Sequence, residues 1–293
     1  MPYLIYDNHI FTACEIFLTI CYGSPPEKVG VLSDRDKRSN IMSITSDFSK
    51  FKKIDAHSHI GTFGSPFNIH FNADLLLKQM EEFNIEKTIL CSDGPHTNEE
   101  TVAAFQAHPD KIIPLMWINC AEGKPAYDAL EHYIRDEHFA GAKLQSLFDG
   151  YCADDPCVDP VAEICEKYGK PLFIHSGHPP FSLPWQIGLL AERHPHLPIV
   201  MIHMGHAHGV YVDAAITMAK KYDNIWLETS GTSMSVQIAN AYNTVGHEKV
   251  MFGIDSPFHA PTVEIQKIMA CGVDDEGLEN IFYHNAAKFM GLK

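Results

Sequence analysis

The chain has 293 residues, with 22 Lys+Arg against 37 Asp+Glu and a formal charge of −15. That charge argues against a nucleic-acid backbone or an anionic membrane as the main partner, and 45% hydrophobic with 20% charged residues excludes wholesale disorder. The length suits two ordinary domains or one large α/β barrel. The 18 histidines stand out, because His is the commonest metal ligand and the usual acid/base near neutral pH.

Residues 1–52 differ from the rest. Apolar stretches at 3–6 and 10–21 precede the breaker cluster Gly23-Ser-Pro-Pro26 and the polar segment 33–40. About 50 residues build little core of their own. We expect an N-terminal extension, either a small β-hairpin or an arm through which the chain forms a homo-oligomer. No basic leader precedes the 10–21 stretch, which contains Glu15, and no apolar run approaches the roughly 18 residues of a membrane span. The eight cysteines form no Cys-x-x-Cys pair and read as small buried hydrophobes in a reducing compartment. The expectation is a soluble, cytoplasmic protein whose partner is a small molecule rather than nucleic acid or membrane.

From residue 53 onward the pattern is regular. Short apolar strings lie at 53–57, 87–91, 112–118, 141–145, 171–175, 198–203, 225–228 and 249–255. They are continuous rather than alternating, as in parallel strands covered on both faces. Amphipathic helices are predicted between them, at 73–83, 160–168 and 214–222 among others. Eight strand–helix units over 53–293 predict a (β/α)8 TIM barrel of the α/β class, with the extension at 1–52. An open doubly wound sheet is disfavoured, because neither G-x-G-x-x-G nor a Walker A pattern occurs.

Polar residues close several of these strings. His57 and His59 end the first, His175 the fifth, His203 the sixth and Asp255 the eighth. Strand C-terminal ends form the active face of a barrel, so four His and one Asp converge there. Positions 57 and 59 are two apart and share a strand face. Burying so many imidazoles and a carboxylate without a cation is costly. We expect one divalent metal ion, with Zn²⁺ first and Mn²⁺, Fe²⁺ or Co²⁺ as alternatives.

The segments Lys53-Ile-Asp-Ala-His-Ser-His-Ile-Gly61, His175, Ile202-His-Met-Gly205, Gly253-Ile-Asp-Ser-Pro-Phe258 and Asn285-Ala-Ala-Lys-Phe-Met-Gly-Leu292 resemble the amidohydrolase superfamily. The branch they resemble is amidohydrolase 2, which includes aminocarboxymuconate-semialdehyde decarboxylase. The resemblance implies that His57, His59, His175 and Asp255 bind a single metal, with His203 beside it as a catalytic group. On chemical grounds Asp255 suits a base that takes a proton from water, and His203 suits a group that polarises a carbonyl. Lys143 on the fourth strand is a candidate for bridging a second metal when carboxylated, as in some superfamily members, or for binding a substrate carboxylate. His203 shares that second-metal or substrate role. His178 and His206 are candidate pocket residues. Glu228 either orients a metal-bound His or pairs with Lys143.

The expected activity is metal-dependent hydrolysis of an amide, lactone or related bond. The alternative is non-oxidative decarboxylation of an aromatic or unsaturated carboxylate. A non-enzymatic metal buffer is disfavoured, because the key histidines are spread over the whole barrel rather than gathered in a local tract.

Overall fold

A computed structural model describes residues 4–6, 9–11, 47–206 and 208–292. The chain divides into two units, Met1–Ser46 and Asp47–Lys293. In the first, β1 (Leu4–Tyr6) and β2 (His9–Phe11) pair antiparallel, Leu4 opposite Phe11. Most of 10–21 and all of 33–40 lie outside the described residues, so the proposed arm does too.

In the second unit, β3 (Lys53–His59) leads into a hairpin of β4 (Gly61–Phe63) and β5 (Ile69–Phe71). The parallel strands then follow as β6 (Ile85–Cys91), β7 (Ile112–Trp117), β8 (Gly141–Leu144), β9 (Leu172–His175), β10 (Ile199–Ile202), β11 (Ile225–Glu228) and β12 (Val250–Met251). Each neighbours its predecessor, giving the order β3-β6-β7-β8-β9-β10-β11-β12. A helix follows every one of these eight strands, from Ala73–Glu82 after β3 to Pro261–Met269 after β12. The short β12 does not close the sheet by itself. Closure falls to the segment after it: Ala56 N donates to Phe252 O (2.9 Å), Asp255 N to His57 O (2.7 Å) and His59 N to Ser256 O (2.7 Å). The fold is the expected (β/α)8 TIM barrel.

The two-residue period of a strand sorts the core into two layers. Leu172 and Ile174 of β9, with Ile199 and Met201 of β10, pack with helix residues such as Leu190 and Ala215. Phe173, Val200 and Ile202 pack with Ile89, Leu115 and Met251 from other strands. Both faces of each strand are therefore dry, which explains the unbroken apolar strings. His175 follows Phe173 by two residues and continues its side.

Lys53 begins β3 with its side chain fully buried. Its Nζ donates to Phe48 O (2.7 Å), Phe51 O (2.6 Å) and Phe83 O (2.9 Å). It thereby satisfies carbonyls from three turns of chain, as buried polar groups require. Lys53→Met keeps the stem but removes this donor. A loss of about 3 kcal/mol of stability is expected, the order of cost for leaving buried acceptors unpaired. The midpoint of urea unfolding measures it, and an unchanged midpoint refutes the role.

Candidate metal centre and active-site pocket

The C-terminal ends of β3, β9, β10 and β12 bring the five residues together. The register of β3 against β6 shifts between Asp55 and Ser58. Both imidazoles nevertheless face one oxygen: His57 Nε2 lies 3.1 Å and His59 Nε2 3.5 Å from Asp255 Oδ1. His203, in the turn after β10, places Nε2 3.9 Å from Asp255 Oδ2 and 3.1 Å from His175 Nδ1. His175 stands one step outward, its Nε2 2.7 Å from His178 Nδ1.

The backbone is strained at two of these positions. His203 and Asp255 have φ of 66° and 63°, a region few non-glycine residues occupy and one that persists only where neighbours over-determine it. His203 N donates to Glu228 Oε2 (3.1 Å), Thr232 Oγ1 donates to His203 O (2.7 Å), and His203 Nδ1 lies 3.0 Å from Ser230 O. Asp255 is pinned through Asp55, whose Oδ1 accepts from Ile254 N (2.9 Å) and His57 N (3.1 Å). Gly253 is required beside it, because a Cβ there would stand 2.2 Å from Glu228 Oε1. Glu228 therefore does not pair with Lys143. Its carboxylate accepts from His203 N, Ser230 N and Ser230 Oγ and fixes the turn that presents His203. Lys143 points its Nζ at His57 Nε2 instead, 3.1 Å away.

Burial sets the protonation states. It pushes His57, His59, His175 and His203 well below the usual histidine range, so all four are neutral, the form that binds metals. The nearby Lys143 adds to this at His57, His59 and His175. Burial lowers Lys143 and raises Asp255, opposed at Asp255 chiefly by His59. Glu228 is raised to about 7 by the same desolvation.

The donor set fits a divalent cation. Ligand atoms of His57, His203 and Asp255 all lie within 4.8 Å of one another, as do those of His57, His59 and Cys91. Two rings have their far nitrogens engaged: His59 Nδ1 lies 2.8 Å from Ser92 O, and His203 Nδ1 lies against Ser230 O. Donation there leaves each Nε2 as a free lone pair, the usual arrangement around metal-binding imidazoles. Burial pushes the Cys91 thiol up to about 12.

A cavity of about 270 Å³ opens onto this cluster. His178 and His206 line it, whereas Glu228 is fully buried behind the His203 turn. Much of the wall is aromatic. Phe63 and Phe67 meet Phe258 edge-on, with centroids 4.8 and 4.9 Å apart. Trp117 stacks over Phe148, and its Nε1 donates to Asp149 Oδ2 at 3.1 Å. These rings, Gln145 and His259 were not anticipated. His259 has its Nε2 3.8 Å from Asp255 Oδ2 and its Nδ1 3.3 Å from Glu264 Oε1. Its position four residues beyond Asp255, in the same strand-end loop, was the available signal.

A parallel barrel with a His/Asp cluster on its C-terminal rim defines the class. The chain belongs to the amidohydrolase family, whose model matches residues 73–292. A 2-amino-3-carboxymuconate-6-semialdehyde decarboxylase of Dictyostelium discoideum is 24% identical over 241 residues, covering 67% of this chain and 66% of that protein. This chain thus spans just under two thirds of that relative's length. Among solved structures, 2,6-dihydroxybenzoate decarboxylase from Rhizobium superposes with a TM-score of 0.65 at 17% identity, over 82% of this chain and 99% of that one. The manganese complex of 5-carboxyvanillate decarboxylase from Novosphingobium aromaticivorans gives 0.67 at 16% identity, over 83% and 97%. All three relatives are decarboxylases by name, which corrects the expectation of a hydrolase. The physical reason is that both reactions use the same His and Asp donors, so the motifs that reveal the site do not distinguish them. The first choice of Zn²⁺ gains no specific support, and a divalent ion is the level the donor set reaches.

Proposed function

We propose that the chain is a metal-dependent, non-oxidative carboxy-lyase acting on an aromatic or unsaturated carboxylate. The reading is carried by the aromatic-walled cavity that opens directly onto the His/Asp cluster, and the decarboxylase relatives support it. His57, His59, His175 and Asp255 would hold one divalent ion, Mn²⁺ or Zn²⁺. When bound, that cation supplies positive charge that holds and orients the substrate carboxylate.

The reaction is R–COO⁻ + H⁺ → R–H + CO₂. The C–C bond breaks, and its electron pair stays on the ring or alkene carbon. Asp255 is the proton carrier of this reading, since its carboxylate faces the cavity at the point where His57 and His203 converge. His203 Nε2, held by the Glu228–Ser230 turn, polarises the substrate beside it. Phe63, Trp117 and Phe258 stack on a planar substrate and exclude water, which strengthens every charge interaction inside. Lys143, wholly buried against His57, serves the ligand set rather than the substrate.

The test is a panel of aromatic and unsaturated acids, lactones and amides, incubated with Mn²⁺-loaded and Zn²⁺-loaded protein. Carbon dioxide and the decarboxylated product are expected in equal amounts from at least one acid. Acid release from a lactone or amide with no carbon dioxide from any substrate refutes the proposal.

A further inference from the structure

We infer that Cys120 and Cys157 form a redox-responsive dithiol, which a small disulfide such as oxidised glutathione closes into a cross-link between two loops at the C-terminal rim of the barrel.

The described cysteines, at 91, 120, 152, 157, 165 and 271, are free. Two of them meet: Cys120 Sγ lies 2.8 Å from Cys157 Sγ, across 37 positions of sequence. Cys120 opens the short turn Cys120–Glu122 beyond β7, and Cys157 lies in the turn Pro156–Val158 beyond β8. One phenol holds both main chains, since Tyr127 Oη donates to Cys120 O (3.1 Å) and to Cys157 O (3.0 Å). Asp155 Oδ1 also accepts from Cys157 N (3.0 Å). Cysteines whose backbones are misplaced bridge only with strain, and here the placement exists before the bond does. The same two strand ends supply part of the cavity wall, where Trp117 stacks over Phe148 and donates to Asp149. Closure adds a covalent tie beside that contact.

The two sulfurs are not equivalent. Cys120 is fully buried, whereas Cys157 is partly exposed. Burial raises both thiols, opposed at Cys157 by the hydrogen bond with Cys120. A Cys120 S–H that donates to Cys157 favours the thiolate there, so Cys157 is the attacking sulfur. Its thiolate attacks one sulfur of oxidised glutathione. A mixed disulfide forms, and the glutathione thiolate that leaves takes up the proton Cys157 lost. Cys120, already in contact, then attacks the Cys157 sulfur and expels the second glutathione, which takes up the Cys120 proton. Two S–H bonds become one S–S bond, and oxidised glutathione is reduced to two thiols. Reduced glutathione reverses both steps.

The test equilibrates the full chain in glutathione buffers of rising oxidised fraction, quenches with acid, alkylates the free thiols and maps peptides by mass spectrometry. The link between Cys120 and Cys157 is expected to rise from near zero to most of the protein, and to vanish when reduced glutathione is restored. Cys120→Ser is expected to leave Cys157 as a lasting mixed disulfide with glutathione. Cys157→Ser is expected to leave Cys120 about tenfold less modified than that, because it is buried. Alanine variants replace either serine variant that loses the native circular dichroism spectrum. Oxidised wild type is expected to melt roughly 5 °C above its reduced form, because the closed ring restrains the unfolded chain, and Cys157→Ser to show no such rise. Alkylation of both cysteines in the most oxidised buffer, or a link from Cys157 to Cys152, overturns the pairing. A link that persists in reduced glutathione overturns its reversibility. Equal modification of Cys120 once Cys157 is removed overturns the order of attack. A melting temperature that does not rise on closure overturns the prior alignment of the two loops.

Discussion

Asp255→Asn is expected to reduce carbon dioxide release by about 10³-fold, the scale of removing a positioned acid–base group. The substitution is nearly isosteric, so it separates the carboxylate's charge from its shape, and metal analysis of the variant separates the proposed ligand role from proton transfer. Asp255 stands where His57, His59 and His203 converge, and its backbone joins the closing strand to His57. Asn preserves that backbone bond and its left-handed φ, which Asn tolerates well. It loses the negative charge and the exchangeable proton. The circular dichroism spectrum is therefore expected to stay unchanged while kcat falls. Turnover within about tenfold of wild type would remove Asp255 as the proton carrier.

The second large effect is on the metal itself. The double variant His57→Ala, His59→Ala is expected to take bound divalent metal from about one per chain to near zero, because it removes two of the proposed nitrogen donors. The barrel is expected to survive. Both rings sit at the end of β3, and the layers that hold the barrel together, around Leu190 and Ala215 outside and Val200 and Leu115 within, do not depend on them. Elemental analysis of protein purified with excess Mn²⁺ or Zn²⁺ decides the matter. Full metal retention contradicts the site, and loss of the native spectrum would show that the histidines hold the strand rather than a cation.

The features that position the site were legible in the sequence because they follow a simple rule. Strands covered on both faces read as unbroken apolar strings, and a polar residue closing such a string marks a strand end. His57, His175, His203 and Asp255 were all found in that way. The pocket wall was not, because it obeys no such rule. Phe63 and Phe67 belong to a hairpin with three-residue strands, too short to show a period. Phe148 and Phe258 lie beyond strand ends, where spacing carries no information. Glu228 was placed near the site, but its partners, His203 and Ser230, depend on how two neighbouring strand ends turn. The choice between hydrolysis and decarboxylation was out of reach for a chemical reason, since it depends on the substrate and the surrounding cavity rather than on the donor atoms.

The barrel's closure has a consequence for how the site assembles. The strands on either side of the seam are joined by the backbone bonds from Ala56, His59 and Asp255, and β12 contributes only two residues to the sheet. The proposed ligands straddle that junction, with His57 and His59 on one bank and Asp255 on the other. A cation gripped from both banks acts as a rivet, and by linkage whatever binds only the closed form stabilises it. Prising the seam apart would scatter the ligands, and a well-held ion would resist the prising. Cofactor affinity and the integrity of this joint would thus be thermodynamically linked. A mutation far from the chemistry that loosens this joint would reduce activity first as a loss of metal.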